Sequence, residues 1–351
     1  MCKVFDFALN GDRTLIENKK AIGSGPSLLR AFNQWQYKFN DNISITPGVD
    51  FMLFTLNKKF AAEPRMGLTW KVADNHKLNI GYGMHSRVQP MYSYYNETRL
   101  NDGSYVTTNE NLDFTRAHHG VVGYDWNIRE NLRLKAETYF QYLYQVPVEN
   151  NTSTFSTLNN GAAWGIDIRD SMVNKGTGKN YGIELTLEKF FNKGYYYLLT
   201  TSFFESKYTA SDGVERNTAF NGNYVINALV GKEIKIGDNK ALVFDLKLTY
   251  AGGKRYTPID TAATRLLGSK YGTTYFENQA YSKQFPAYLK ADVKVGIRLD
   301  GKRVSQEWQV FIENVTDHKN VLMQNYNRKT NKIENQYQLG LFPMMYYRLY
   351  F

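Results

Sequence analysis

Hydrophobic and polar residues alternate along residues 287–299, AYLKADVKVGIRL, with Ala287, Leu289, Ala291, Val293, Val295, Ile297 and Leu299 at the odd positions. The even positions carry Tyr288, Lys290, Asp292, Lys294, Gly296 and Arg298. One face is apolar and the other nearly all polar, the period-two pattern of a half-buried β-strand. Residues 132–145, LRLKAETYFQYLYQ, set Leu132, Leu134, Ala136, Phe140, Tyr142 and Tyr144 against Arg133, Lys135, Glu137 and Gln141. Residues 242–250, LVFDLKLTY, repeat the arrangement. A helix with this alternation would scatter its apolar residues around its whole circumference and have no face to bury.

The pattern predicts fourteen strands, near 3–9, 28–39, 43–56, 64–72, 77–87, 114–127, 132–146, 180–189, 195–208, 223–234, 241–251, 286–299, 304–315 and 337–351. Many of these runs exceed the roughly five or six residues of ordinary soluble strands. Their connections alternate in kind. Short polar turns lie at 40–42 (NDN), 73–76 (ADNH), 127–131 (NIREN), 191–194 (FNKG), 236–240 (IGDNK) and 300–303 (DGKR). Longer loops lie at 88–113, 147–179, 252–285 and 316–336, with one short exception at 57–63.

Long strands that are greasy on one face, with short turns at one end and long loops at the other, predict an all-β, antiparallel, up-and-down transmembrane β-barrel of the outer-membrane type. A soluble barrel or sandwich also alternates, but it turns its apolar face to an internal core. Strand length, loop asymmetry and the placing of aromatics at strand ends favour the membrane form. Trp35, Tyr37 and Phe39 precede one short turn, Tyr195 and Tyr197 follow another, and Tyr142 and Tyr144 approach a long loop. The short turns then face the periplasm, the long loops the exterior, and the polar strand face the lumen.

Composition supports this picture: Tyr 27, Phe 21 and Trp 5 bring aromatics to 15% of the 351 residues. Such rings suit strands and membrane interfaces. The net charge of +10 is scattered, with no block of five or more like charges, so it does not form a nucleic-acid footprint. Cys2 is the single cysteine, which excludes a disulfide framework and a cysteine metal site within the chain. No run of 18 apolar residues encodes a membrane-spanning helix. The first 30 residues lack the features of a signal peptide, and an exported protein would have its beginning upstream of Met1.

Candidate chemistry is sparse. His118 and His119 are adjacent, so a strand points them to opposite faces, and with His85 they have no carboxylate cluster for a metal ion. The stretch GTGKNYG from Gly176 lacks the spacing of a phosphate loop and is expected to be a loop entering a strand. N-x-[ST] at Asn96, Asn150, Asn151 and Asn314 is too common a motif to carry weight. Glu137, Glu184, Glu188 and Asp245 are expected to form ion-paired ladders with Arg133, Lys135, Lys247 and Lys294 rather than acid and base pairs. No hydrolase motif appears, and neither enzymatic activity nor a cofactor is expected.

Several stretches together resemble the C-terminal barrel region of TonB-dependent outer-membrane receptors of the kind abundant in Bacteroidota. They are EPRMGLTW (63–70), GYGMHSRVQPMY (81–92), HHGVVGYD (118–125), GTGKNYGIELTLEKFFNKGYYYLLTTSFFESKY (176–208), RNTAFNGNYVINALVGKE (216–233), GGKRYTPID (252–260), NVTDHKNV (314–321) and the terminus. The resemblance implies a parent with a signal peptide, a TonB-contacting segment, a plug and a 22-stranded barrel, located in the outer membrane of a Gram-negative bacterium. It implies import of scarce or bulky solutes such as siderophores, vitamins or glycans. Its implied partners are outer-membrane lipid, the barrel-assembly machinery, the TonB complex through an N-terminal part absent from this sequence, and a surface substrate-binding lipoprotein.

Residues 1–27 are then expected to be a partial strand and loop at a truncated start, and 28–351 the C-terminal part of the barrel without plug or signal peptide. The terminal stretch QLGLFPMMYYRLYF turns Leu339, Leu341, Pro343, Met345, Tyr347, Leu349 and Phe351 to one face and Gln338, Gly340 and Arg348 to the other. The resemblance implies that Pro343, Met345, Tyr347, Leu349 and Phe351 serve as the signal read by the assembly machinery. Each unpaired backbone group costs several kcal/mol in hydrocarbon, so an open edge about ten residues long would cost roughly tens of kcal/mol. The chain is therefore expected to close into a smaller barrel, pair with a complementary fragment or fail to assemble. Substrate contacts are expected in the long loops, from Tyr94, Tyr95, Trp164, Arg255 and Tyr256. Two other readings are a passive porin-like pore or non-functional receptor fragment, and a soluble ligand-binding β-protein recoverable without detergent.

Overall fold

The computed structural model describes residues 4–10, 25–162, 165, 167–266 and 272–351. Its main feature is one antiparallel sheet whose strands follow each other in chain order. The strands are β1 (Val4–Asn10), β2 (Leu28–Gln34), β3 (Ile43–Phe54), β4 (Lys59–Ala73), β5 (His76–Arg87), β6 (Thr115–Arg129) and β7 (Leu132–Glu149). There follow β8 (Met172–Asn192), β9 (Tyr195–Thr209), β10 (Tyr224–Lys235), β11 (Lys240–Ala251), β12 (Tyr288–Asp300), β13 (Ser305–Glu313) and β14 (Phe342–Tyr350). Each of the fourteen corresponds to one strand expected from the alternation. Two short segments, Tyr37–Lys38 and Glu215–Asn217, add to β3 and β9. No helix among the described residues is long and apolar enough to cross a membrane.

The strands are long: β4, β6 and β9 have 15 residues each and β8 has 21. About 9–11 tilted residues cross the hydrocarbon, so these strands extend beyond it. Sheet register sorts the side chains. The row Tyr195, Lys232, Phe244, Val295, Val310, Met345 runs across β9 to β14 on one face. The next row, Tyr196, Gly231, Asp245, Lys294, Phe311, Met344, lies on the other.

Ile183, Leu185, Leu199, Phe203, Val230, Leu246, Leu248, Val310 and Met345 are all exposed on the first face. A soluble monomer does not leave so broad an apolar surface in water. Lipid is the solvent this face suits.

Tight turns close the short ends. Between β8 and β9, Lys193 and Gly194 have φ of 54° and 77°. Two successive positive φ values make the twisted two-residue turn that hairpins favour, and glycine takes the second position without strain. The long ends carry small elements of their own: α1 (Met91–Tyr94), α2 (Thr261–Leu266) and three hairpins. The hairpins pair Glu97–Arg99 with Tyr105–Thr107, Arg255–Tyr256 with Lys283–Gln284, and Val321–Asn327 with Lys332–Tyr337.

Four boundaries differ from the sequence expectation by five residues or more: β2 stops at Gln34, β4 already starts at Lys59, and the starts of β8 and β14 move. GTGKNYG lies inside β8, which begins at Met172, and is no loop. A Cβ on Gly176 would sit 2.5 Å from Val148 Cγ1 and one on Gly178 2.6 Å from Leu158 Cδ1, so these glycines admit close packing within a strand. At the other end, residues 338–341 precede β14 instead of belonging to it. Their backbone is taken up elsewhere: Gln338 N–H donates to Asn320 O and Leu341 N–H to Asp317 Oδ1.

The chain divides into two compact units. One comprises Met1–Tyr124, Thr138–Tyr181 and Glu205–Phe220, the other Asp125–Glu137, Gly182–Phe204 and Asn221–Phe351. The first has an apolar cluster of Met52, Phe54, Ala61, Tyr94, Leu112, Phe114 and Met172, where loop residues pack on the ends of β3, β4 and β8.

Candidate functional site

The polar face of the first unit is built around two buried carboxylates. Asp50 on β3 is 1% exposed, Glu63 on β4 is 2% exposed, and the two are paired directly across the strands. Like charges so placed are tolerable only with cations between them. Arg30 Nε donates to both Asp50 oxygens at 3.0 and 2.8 Å. Arg65 Nη2 reaches Asp50 at 3.4 Å and Glu63 at 3.2 Å, while Glu63 also accepts from the Ser86 backbone N–H. The guanidiniums are more exposed than the acids they cover, so cationic groups form the presented surface.

The same face continues through His85 and His119, whose rings lie 6.3 Å apart, to Tyr139 at 6.3 Å from His119. His118 points to the opposite face, where its ring stacks with Tyr82 and Tyr144, and Tyr82 OH lies 2.8 Å from its Nδ1. Among the described residues no group of three or more His, Cys, Asp or Glu side chains is placed to hold a metal ion.

The second unit has its own polar ladder. Tyr196 OH donates to Asp245 Oδ1 at 2.8 Å, and Lys294 pairs with the same carboxylate. Gly231 lies between them in register, and a Cβ there would come within 2.1 Å of the Tyr196 ring and 2.4 Å of Asp245. The glycine makes the hydrogen bond possible. Arg298 forks onto Glu233 at 2.9 and 2.8 Å, and Lys290 bonds Glu313 at 2.9 Å. Arg133 pairs with Asp125 and Lys135 with Glu137. The pairs lie along one strand, between adjacent strands or, for Tyr196 with Asp245 and Arg298 with Glu233, across one intervening strand, all on the polar face.

The loops of the first unit are tied down. Asn57 Nδ2 donates to Glu110 O and Leu112 O, Asn109 Nδ2 to Arg169 O, and Asn174 Nδ2 to Asp113 O and Gln145 O. Tyr94 anchors α1: it is 1% exposed, its ring is 5.1 Å from Phe54, and its hydroxyl accepts from Gln89 N–H at 3.2 Å. Burial pushes its hydroxyl pKa up to about 12. Its side chain is thus a packing anchor with no surface to offer a solute. Tyr95 is half-buried beside it, and Trp164 lies outside the described residues.

In the second unit Arg255 works as a clamp. Its Nε donates to Asn221 O and its Nη2 to Asn223 Oδ1, each at 3.0 Å. Tyr256 stacks on Phe285 at 4.2 Å. Arg328, in the Val321–Asn327 to Lys332–Tyr337 connection, donates to Thr264 O at 2.7 Å and Gly272 O at 2.6 Å. Asn314 is the hub of NVTDHKN: its N–H donates to Asp292 Oδ1, its Oδ1 accepts from His318 N–H, and its Nδ2 donates to His318 O. Tyr94 and Arg255 therefore organise the loops. Among the described residues, Tyr105 in the first unit and Tyr275 and Phe276 in the second are exposed loop rings.

Met345, Tyr347 and Leu349 lie exposed on the apolar face of β14, with Tyr347 packed against Trp308 at 4.5 Å and Met345 across from Val310. Pro343 pairs across from Ile312 on that face.

The family described as TonB dependent receptor-like, beta-barrel, matches residues 12–316 of this chain. Among solved structures, the chain is similar to the ferric-catecholate import receptor Fiu from E. coli K12, at 10% identity and a TM-score of 0.62, over 93% of this chain and 45% of that one. It is similar to the ferric yersiniabactin uptake receptor FyuA from Yersinia pestis, at 12% identity and TM-score 0.60, over 93% and 46%. The outer membrane transporter YddB from Escherichia coli gives 13% and 0.62, over 92% and 45%. The chain spans slightly under half the length of these structures, and the likeness is one of fold. No curated protein sequence matches it.

Proposed function

Because the chain belongs to the TonB dependent receptor-like β-barrel family, a family of outer-membrane receptors and transporters rather than enzymes, we propose that it supplies barrel wall for energised uptake of a scarce or bulky solute. A siderophore, vitamin or glycan fits that description. The names of two similar structures, a ferric-catecholate import receptor and a ferric yersiniabactin uptake receptor, favour an iron chelate. The observation that carries the reading is the segregation of the sheet faces in the second unit, with Ile183, Val230 and Val310 exposed on one and the Asp245 ladder on the other. Lipid on the apolar face leaves the polar face to line a solute path.

Substrate contact falls to Tyr95, Tyr256 and Trp164 on the loops, with Tyr94 and Arg255 acting through the loop shapes they hold. Alanine at Tyr95, Tyr256 and Trp164 is expected to weaken solute binding by about 1 kcal/mol each. The assembly machinery reads Pro343, Met345, Tyr347, Leu349 and Phe351, and a surface lipoprotein and the TonB complex act with the receptor. Loss of the gene is expected to abolish uptake of one such solute, and a protonophore is expected to do the same to the wild type. Uptake that persists with the protonophore identifies a passive pore instead.

A further inference from the structure

At the short-turn end of β8, β9 and β10, two lysines converge on one tyrosine ring. Lys189 Nζ lies 4.2 Å from the Tyr195 ring centroid and Lys232 Nζ 5.5 Å from it. Tyr195 and Lys232 are direct cross-strand partners, so all three side chains belong to one patch of the apolar face. Tyr195 and Lys232 are exposed, and Leu199 and Val230, exposed on the same face, continue the patch toward the middle of the strands. An aromatic ring accepts a cation on its face, but it brings no net charge. Among the described residues neither ammonium group forms an ion pair with a carboxylate.

Two carboxylates, on β10 and β11, are engaged on the other face, while Asp238 lies exposed in the turn after β10. Glu233 holds Arg298, and Asp245 holds Lys294 and Tyr196. Glu188 alternates with Lys189 and so points away from it. Lys189 Nζ has a further contact at 3.4 Å with Phe190 O, a neutral acceptor. Along the strands Leu199 and Val230 lie toward the middle, and Tyr195 with Lys232 directly across from it lies at the turn, the placing of aromatic and basic side chains expected at a membrane interface.

We propose that Lys189, Tyr195 and Lys232 form a headgroup site for an anionic glycerophospholipid of the periplasmic leaflet. The phosphodiester would take the ammonium hydrogens left free by the ring, and the acyl chains would lie along Leu199 and Val230. Lysines that merely extended toward the headgroup layer would not require a shared ring.

The test uses the full chain in detergent, with phosphatidylglycerol or phosphatidylcholine added and bound lipid counted by native mass spectrometry. A lysine near a membrane surface contributes about a five-fold gain for anionic lipid, so K189Q/K232Q is expected to lose about 30-fold in phosphatidylglycerol retention. Phosphatidylcholine retention should not change, and K302Q in another short turn should behave as wild type. Equal phosphatidylglycerol retention by wild type and K189Q/K232Q overturns the proposal. Should the double variant fail to fold, the wild type alone decides. Preferential retention of phosphatidylglycerol, undiminished by inorganic phosphate but reduced by competing phosphatidic acid, supports the site, and equal retention of both lipids overturns it.

Discussion

In the first unit Asp50 is covered by two guanidiniums and sits opposite a second buried acid, whereas in the second unit Asp245 meets one tyrosine hydroxyl and one ammonium beside a glycine gap. Both place a carboxylate on the polar face of a membrane sheet, but they depend on different things. The first depends on arginine, whose planar fork can serve two carboxylates from fixed directions. The second depends on space, because Tyr196 reaches Asp245 only across a residue without a Cβ. Charge removal should therefore damage the first cluster most, and added volume the second.

The largest effect is expected from Asp50→Ala. It leaves Arg30 and Arg65 facing each other with Glu63 alone to balance them, a loss of about 3–5 kcal/mol on the scale of broken buried ion pairs. Urea unfolding in detergent, read by heat-modifiable gel mobility, measures it. Gly231→Val is next, at about 1–3 kcal/mol, because its side chain must displace the Tyr196 ring. Asp245→Asn, which keeps the volume and an acceptor for Tyr196, should cost about 1 kcal/mol and remain the milder change. A reversal of this order, with Asp50→Ala harmless and Asp245→Asn severe, would break the contrast.

The smallest effect concerns a loop outside the spanning strands. The Leu341 N–H, and then Lys319, hold the Asp317 carboxyl below its usual pKa. A depressed carboxylate adds stability that is present above its unfolded value and lost as pH falls through the folded one. Acidification below about pH 4 should therefore loosen the lead into β14. The protection factor of the Leu341 amide, corrected for the intrinsic pH dependence of exchange, should be high at neutral pH and lower at low pH, and Asp317→Asn should be insensitive.

Much of the fold could be read from alternation alone, because each strand faces two different solvents along its whole length. All fourteen strands and the short turns follow from residues such as Leu246, Asp245 and Lys247 changing sides at every step. Boundaries were less legible where backbone partners outweighed pattern. Leu339 and Leu341 continue the apolar rhythm, yet Asn314, Asp317 and Asn320 hold that stretch outside β14. Gly176 and Gly178 read as a loop because glycine weakens strands, while the fold needs them for the approach of Val148 and Leu158. The site was harder. Tyr94 has the same letter as any exposed loop tyrosine, and only the neighbouring Phe54, Leu112 and Phe114 make it a core residue. Asp50 and Glu63 carried a fainter signal, as acids on the polar parity of β3 and β4 flanked by Arg30 and Arg65.

The central claim is that the two sheet faces meet different solvents. With Cys2 replaced by Ser, single cysteines at Ile183, Val230 and Val310, and at Glu184, Leu229 and Gln309, can carry a nitroxide label in lipid vesicles. The first three should be reached by oxygen dissolved in the bilayer and shielded from a water-soluble nickel chelate, and their neighbours should show the reverse. Equal access of the chelate to both sets would contradict a membrane-spanning sheet.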